Sequence, residues 1–161
     1  MGSLQGMSLS QDELAIWASL ATVLERLPAA LDAQLQRDSG LTHFEYGVLF
    51  ALDTAPDRTL RLSTLAAYAG CTLSRLSRAV TRLQKEGLIE REVDPGDGRF
   101  TLGILTSLGH EKVESATPGH RELVRQVVFD SLTERQAQQL GSITLRIAGA
   151  VAPGCVWAPR P

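Results

Sequence analysis

Between Arg61 and Lys85 the chain carries Arg61, Arg75, Arg78, Arg82 and Lys85 and no carboxylate at all. Guanidinium groups without acidic neighbours are suited to gripping phosphates, and their planar forks also match the O6 and N7 edge of guanine. Further on, Asp97 and Arg99 flank Gly98, a spacing that lets the carboxylate hold the guanidinium extended at the tip of a turn. An arginine presented in this way fits a narrow minor groove, whose negative potential attracts it. Catalysis has no comparable residue set. His43, His110 and His120 lack metal-ligand spacing, no glycine-rich phosphate loop occurs, and no Ser or Cys stands in a nucleophile motif. The run Asp94-Pro95-Gly96-Asp97-Gly98 lacks the distal glutamate and alternating ligands of a calcium loop. These residues predict a binding protein without cofactor or metal, not an enzyme.

The elements that must position these groups are marked by their helix starts. Ser10 with Glu13, Thr42 with Glu45, and Thr133 with Gln136 have capping-box spacing, and each opens an apolar-periodic run. The first run covers about 10–37, with Pro28 as an expected kink, and the second about 42–53. After a loop over 54–62, a short helix is expected from Ser63 as N-cap to Gly70 as a left-handed stop. Thr72 then caps a helix reaching Gly87, so two helices meet in the tight turn of a helix-turn-helix. On that second helix Leu76, Ala79, Val80 and Leu83 fall within an arc of about 100°, while Arg75, Arg78, Arg82, Lys85, Ser74, Ser77 and Thr81 fill the opposite side. One face therefore docks and the other faces outward. Leu73, Ser74, Arg75, Ser77 and Arg78 are expected at base edges and Thr81, Arg82 and Lys85 at phosphates, with Ser63 and Thr72 also among the DNA-binding residues. Leu88 to Val93 and Arg99 to Leu105 predict a β-hairpin, or wing, around the Asp94–Gly98 turn. Thr106 opens a long helix to about Ser131, expected to bend near Pro118-Gly119, and Thr133 opens the last, to about Ala150.

The overall charge of −2 conceals a segregation that supports this orientation. Residues 1–60 hold three arginines against eight carboxylates, so a basic surface faces one way while the rest of the chain repels a polyanion. At 161 residues there is room for one domain. Stretches such as Leu102 to Leu105 fall far short of the ~20 apolar residues of a membrane span, and a cytoplasmic protein is expected. Cys71 and Cys155 fit neither a disulfide framework nor a four-ligand zinc site. Residues 1–7 are expected to be leader and 151–161 a loose tail.

The residues Leu65-Ala66, Ala69-Gly70, Thr72, Ser74, Leu76-Ser77-Arg78, Val80, Arg82-Leu83, Glu86-Gly87-Leu88-Ile89 and Arg91 resemble the helix-turn-helix of the MarR family of bacterial regulators. Asp94-Pro95, Asp97, Arg99, Leu105-Thr106 and Gly109 are similar to its wing and following helix, and the likeness runs from about 42 to 140. The resemblance implies a mainly α fold in which a winged helix-turn-helix, 38–106, is embedded in a helical dimerisation frame, 8–37 and 107–150. It implies a homodimer on a pseudo-palindromic double-stranded operator, half-sites about one turn apart. It further implies a repressor released by a small, often phenolic, aromatic anion bound between frame and winged module. Trp17, Arg26, His43, Tyr46, Phe50 and Tyr68 are the candidates for that pocket, with plain core packing as the alternative for the aromatic residues. Two other readings compete. Cys71, before the second helix of the pair, could act as an oxidisable thiol, although the family places an apolar residue there. A winged helix that binds protein is the other rival, and the retained arginines argue against it.

Overall fold

The computed structural model describes residues 8–153, so the expected leader, Cys155 and the tail beyond 153 lie outside the described residues. The chain runs α1 (Gln11–Ser39), α2 (His43–Asp53), a 3₁₀ turn (Pro56–Arg58), β1 (Thr59–Arg61), α3 (Leu62–Tyr68), α4 (Leu73–Lys85), β2 (Ile89–Val93), β3 (Thr101–Leu105), α5 (Ser107–Val124), a π-helical turn (Arg125–Phe129) and α6 (Glu134–Val151). All three capping boxes form, at Ser10, Thr42 and Thr133, each with the hydroxyl and the third helical side chain exchanging hydrogen bonds with the backbone. Thr72 caps α4 and Thr106 caps α5 in the same way from the hydroxyl side. Gly40, Gly70 and Gly87 adopt the left-handed conformation at the ends of helices, where a side chain would be strained.

Three expectations need correction: the Ser63 cap, the loop before α3 and the apolar length of α1. Ser63 is not an N-cap: Arg61 occupies that position without a side-chain capping bond, and Ser63 is an exposed residue of α3's first turn. The cause is β1, a strand of three residues expected to be loop, which pairs antiparallel with β3 and runs directly into α3. The sheet therefore has three strands in the order β1-β3-β2. The α-helical pattern of α5 continues through Pro118 and passes into a π turn at Arg125–Phe129. α1 is likewise one helix with Pro28 inside it. Finally, α1 is long and apolar enough, by length and composition, to cross a membrane, contrary to the expectation that every apolar stretch falls short.

The core is a single cluster over the winged module. Leu35 and Leu41 from the α1 side, Leu49 and Leu52 of α2, Leu65 of α3, and Leu76, Val80 and Leu83 of α4 are almost wholly buried against Ile89. Of these, Leu76, Val80 and Leu83 belong to the apolar arc predicted to dock α4. By contrast, Leu14, Ile16, Trp17, Val23 and Leu24 of α1, and Ile143, Leu145 and Ile147 of α6, are exposed in the single chain.

Candidate nucleic-acid interface and the adjoining cleft

α4 separates its faces as its sequence demands, but its guanidiniums are not equivalent. Leu73, Ser74, Arg78 and Lys85 are exposed, and no hydrogen bond or ion pair ties the side chains of Arg78 and Lys85 to other described residues. Thr72 spends its hydroxyl on the cap, accepting from Arg75 N at 3.3 Å, with Ser74 Oγ at 3.2 Å. Arg75 leans back over the Phe44 ring, 4.9 Å from its centroid. Arg82, expected at a phosphate, also makes three contacts within the protein while its side chain stays half exposed. It pairs with Glu45 at 3.0 Å and Glu86 at 3.2 Å, and donates to Gly40 O at 3.2 Å. Glu45 is buried, and its other oxygen accepts from the Thr42 amide and hydroxyl, so Arg82 ties α4 to the start of α2.

That arrangement yields a test. Arg82→Ala leaves a buried carboxylate without its cation, which is expected to cost about 1–2 kcal/mol, less than for a fully buried pair because the arginine is half exposed. A lowered urea midpoint with unaltered discrimination between DNA sequences is the expected result. Unchanged stability with weaker binding to every duplex would return Arg82 to the phosphate role.

The wing is held by two arginines, Arg61 and Arg91, to which sequence reasoning gave no such role. Arg61 of β1 meets Asp94 at 2.7 Å and lies over Phe100, 4.4 Å from its centroid. Arg91 of β2 donates to Ser77 O and Thr81 Oγ1, both at 2.7 Å, clamping the hairpin to α4. Thr81 and Ser77 are therefore partly engaged in holding the wing. At the tip, Asp97 takes the Arg99 guanidinium in a two-pronged bond, 2.9 Å from Nε and 2.6 Å from Nη2, while the Arg99 side chain remains 84% exposed. Bonds from Arg99 hold the Asp97 carboxyl below its ordinary range, and the Gly96 amide followed by Arg61 does so for Asp94. Both carboxylates are thus ionised wherever the protein is folded at neutral pH.

Behind α4 opens a cleft of about 1560 Å³. His43, Tyr46, Phe50 and Tyr68, four of the six expected pocket residues, line it. Trp17 and Arg26 do not; both are exposed residues of α1. His120, Arg121 and Arg125 also line the cleft, and sequence reasoning did not find them, because α5 reaches it only through tertiary packing. Tyr46 packs at 5.7 Å from Phe50 and 4.6 Å from His120. Its hydroxyl lies 3.0 Å from Thr117 Oγ1, which donates to Val113 O, so the phenol is the donor of the pair. Burial raises the Tyr46 pKa above its ordinary value, and the phenol stays neutral. Cys71, half-buried before Thr72, packs against the core as a small apolar side chain.

Two helices joined through Gly70, the second amphipathic and basic outward, and a three-stranded sheet whose hairpin is clamped beside it define a winged helix-turn-helix protein. A family model described as MarR family matches residues 39–99. The chain is 44% identical to Sco3205 of Streptomyces coelicolor, a MarR family transcriptional regulator solved in complex with DNA, at a TM-score of 0.87 over 91% of this chain and 96% of that one. AbsC, from the same organism, is 29% identical at a TM-score of 0.84, covering 89% of this chain and 97% of that one. The transcriptional repressor IacR of Pseudomonas putida is 29% identical over 73% of this chain, which spans 64% of that relative's length. A Bacillus subtilis regulator, YdcH, is 35% identical over 48% of this chain and 54% of its own. The chain belongs to the MarR family of transcriptional regulators. Its relatives are regulators and not enzymes.

Proposed function

We propose that this regulator is a homodimeric repressor that binds a pseudo-palindromic double-stranded operator and is released by a small aromatic anion. The observation that carries the DNA reading is the open face at the start of α4, where Leu73, Ser74 and Arg78 are exposed and Arg78 has no ionic partner among the described residues. Likeness to Sco3205, solved with DNA, supports the same face as the reader, and the repressor name of IacR supports the sign of regulation. In this reading Arg75, Ser77 and Arg78 approach base edges, Lys85 and Thr81 the phosphates, and Arg99 with Asp97 the minor groove. Ser63, exposed in the first turn of α3, is a further DNA contact in this reading.

The dimer follows from area. Exposed apolar residues on α1 and α6, among them Trp17, Leu24, Ile143 and Ile147, are too many for one chain to leave in water. Residues 8–37 and 107–150 then form the frame, and 38–106 the reader. The apolar length of α1 belongs to this shared interface in the same reading. The cleft between the α1/α5 side and α2–α4, with its aromatic wall and arginines, supports the effector site.

The reading is tested by selecting bound duplexes from random DNA and measuring affinity for the winner against salt. A pseudo-palindromic consensus and a steep fall in affinity as salt rises are expected, since phosphate contacts release counterions. A consensus without symmetry removes the paired-reader geometry, and the absence of any duplex binding leaves the protein-binding rival.

A further inference from the structure

We propose that Arg61 is a positioning residue for the wing, setting the pose in which Arg99 meets DNA, an inference that rests on the minor-groove reading of Arg99 given above. Arg61 ends β1 and stands at the N-cap of α3, so it belongs to the start of the helix-turn-helix and not to the hairpin. Its guanidinium nevertheless reaches the turn between β2 and β3. Nε meets Asp94 Oδ2 at 2.7 Å, and Cζ lies over the Phe100 ring, 4.4 Å from the centroid. Arg99 approaches the same ring at 5.9 Å. One phenyl ring thus meets two guanidiniums, the first from the helical module and the second from the tip.

The turn transmits the hold. Asp94 is buried, and its other carboxylate oxygen accepts from the Gly96 amide at 2.8 Å. Its backbone accepts from Asp97 N at 3.2 Å and donates to Phe100 O at 3.0 Å, while Phe100 N donates to Asp97 O at 3.0 Å. The bonds that place Asp97 therefore run through Asp94, the residue that Arg61 grips. Asp97 in turn fixes Arg99 through Nε and Nη2. A two-pronged carboxylate sets the direction of a guanidinium only relative to the backbone that carries the carboxylate.

Arg91 anchors the hairpin to α4 as well, but it acts midway along the strands, opposite Gly103. Among the described residues, Arg61 is the side chain from outside the hairpin that hydrogen-bonds to its tip. Without Arg61, the wing arginine keeps its carboxylate and its exposure, yet the turn that aims it is no longer tied to the reading module. A contact that must be held to within a fraction of an ångström weakens when its support is removed. Losing the support and losing the contact are then the same loss, and the two do not add.

The experiment is a double-mutant cycle on binding of the full chain to the duplex selected from random DNA, at one salt concentration, with Arg61→Gln and Arg99→Ala singly and together. Asp94→Asn keeps an acceptor for the Gly96 amide and breaks the Arg61 pair from the other side, so it serves as the second variant. Arg99→Ala is expected to weaken binding roughly tenfold and Arg61→Gln or Asp94→Asn about fivefold, while in the Arg99→Ala background either adds less than about twofold. A second duplex carries 2,6-diaminopurine for adenine, which adds an amino group in the minor groove and leaves the major-groove edge as it was. Wild-type chain is expected to bind it less well than the first duplex, and Arg61→Gln to tell the two apart about as poorly as Arg99→Ala does, a ratio that a mere loss of stability does not move. Equal losses from Arg61→Gln in both backgrounds overturn the proposal, and a shallower salt dependence beside them makes Arg61 a phosphate contact. Arg61→Gln that binds as the wild type also overturns it, with Arg99 left in the groove unaided. If Arg99→Ala itself binds as tightly as the wild type, the minor-groove reading of the wing falls and the proposal falls with it.

Discussion

Replacing Gly109 by alanine is expected to cost about 3 kcal/mol of stability, at the upper end of what overpacking a core imposes. Gly109 is buried in the first turn of α5, and a Cβ there would stand 2.2 Å from Leu88 O and 2.6 Å from Leu105 Cδ1. Neither neighbour can give way cheaply. Leu88 O accepts from Thr106 N at 3.1 Å, and the Thr106 hydroxyl donates to Gly87 O at 2.7 Å while accepting from Gly109 N at 3.0 Å. These bonds rivet the start of α5 to the chain entering β2. Moving the helix outward would break them and pull the end of β3 away from the core. Gly47→Ala is the matching control, because its Cβ would meet nothing within 4 Å in the middle of α2. That variant is expected to gain roughly 0.5–1 kcal/mol from helix propensity. Urea unfolding of the two variants checks the pair, and similar midpoints would show that the close approach at Gly109 is not what the fold depends on.

Arg78→Ala is expected to erode discrimination between the selected operator and random duplex by ~1–3 kcal/mol, the worth of one bidentate arginine–guanine contact. Exposure without an ionic partner is what singles out Arg78 among the α4 arginines, since Arg75 rests on Phe44 and Arg82 is bound to Glu45 and Glu86. The unfolding midpoint should hardly change, because no described contact is lost. Measuring both affinities at one fixed salt concentration decides the assignment. An equal loss on operator and random DNA would make Arg78 a phosphate contact, and the discriminating role would pass to Arg75 and Ser77.

What could be read from the chain alone was what short-range chemistry determines. The three capping boxes, the Thr72 and Thr106 caps, the left-handed Gly70 and the docking face of α4 depend on residues within a few positions of one another. The Asp97–Arg99 pair is legible for the same reason. β1 was not, because three residues carry no usable alternation and exist as a strand only through pairing with β3, more than forty positions away. Its presence displaced Ser63 from the cap. Helical phase correctly placed Arg82 off the docking face, yet it could not show that Glu45, from another helix, would claim the guanidinium. In the cleft, the aromatic residues of α2 and α3 were within reach of sequence reasoning; His120, Arg121 and Arg125 were not, since only the packing of α5 against α1 and α2 brings them there. Trp17 and Arg26 were drawn in by residue type, and neither lines the cleft of the single chain.

Because the Asp97 carboxylate already neutralises Arg99, the hairpin tip presents a dipole rather than a charge. On the seating proposed for the wing, few small ions need be expelled, so its contribution to binding would track the width of the groove it enters more than the ionic strength around it. The proposed grip would then divide between parts that weaken in brine, on α4, and one that persists there, on the wing.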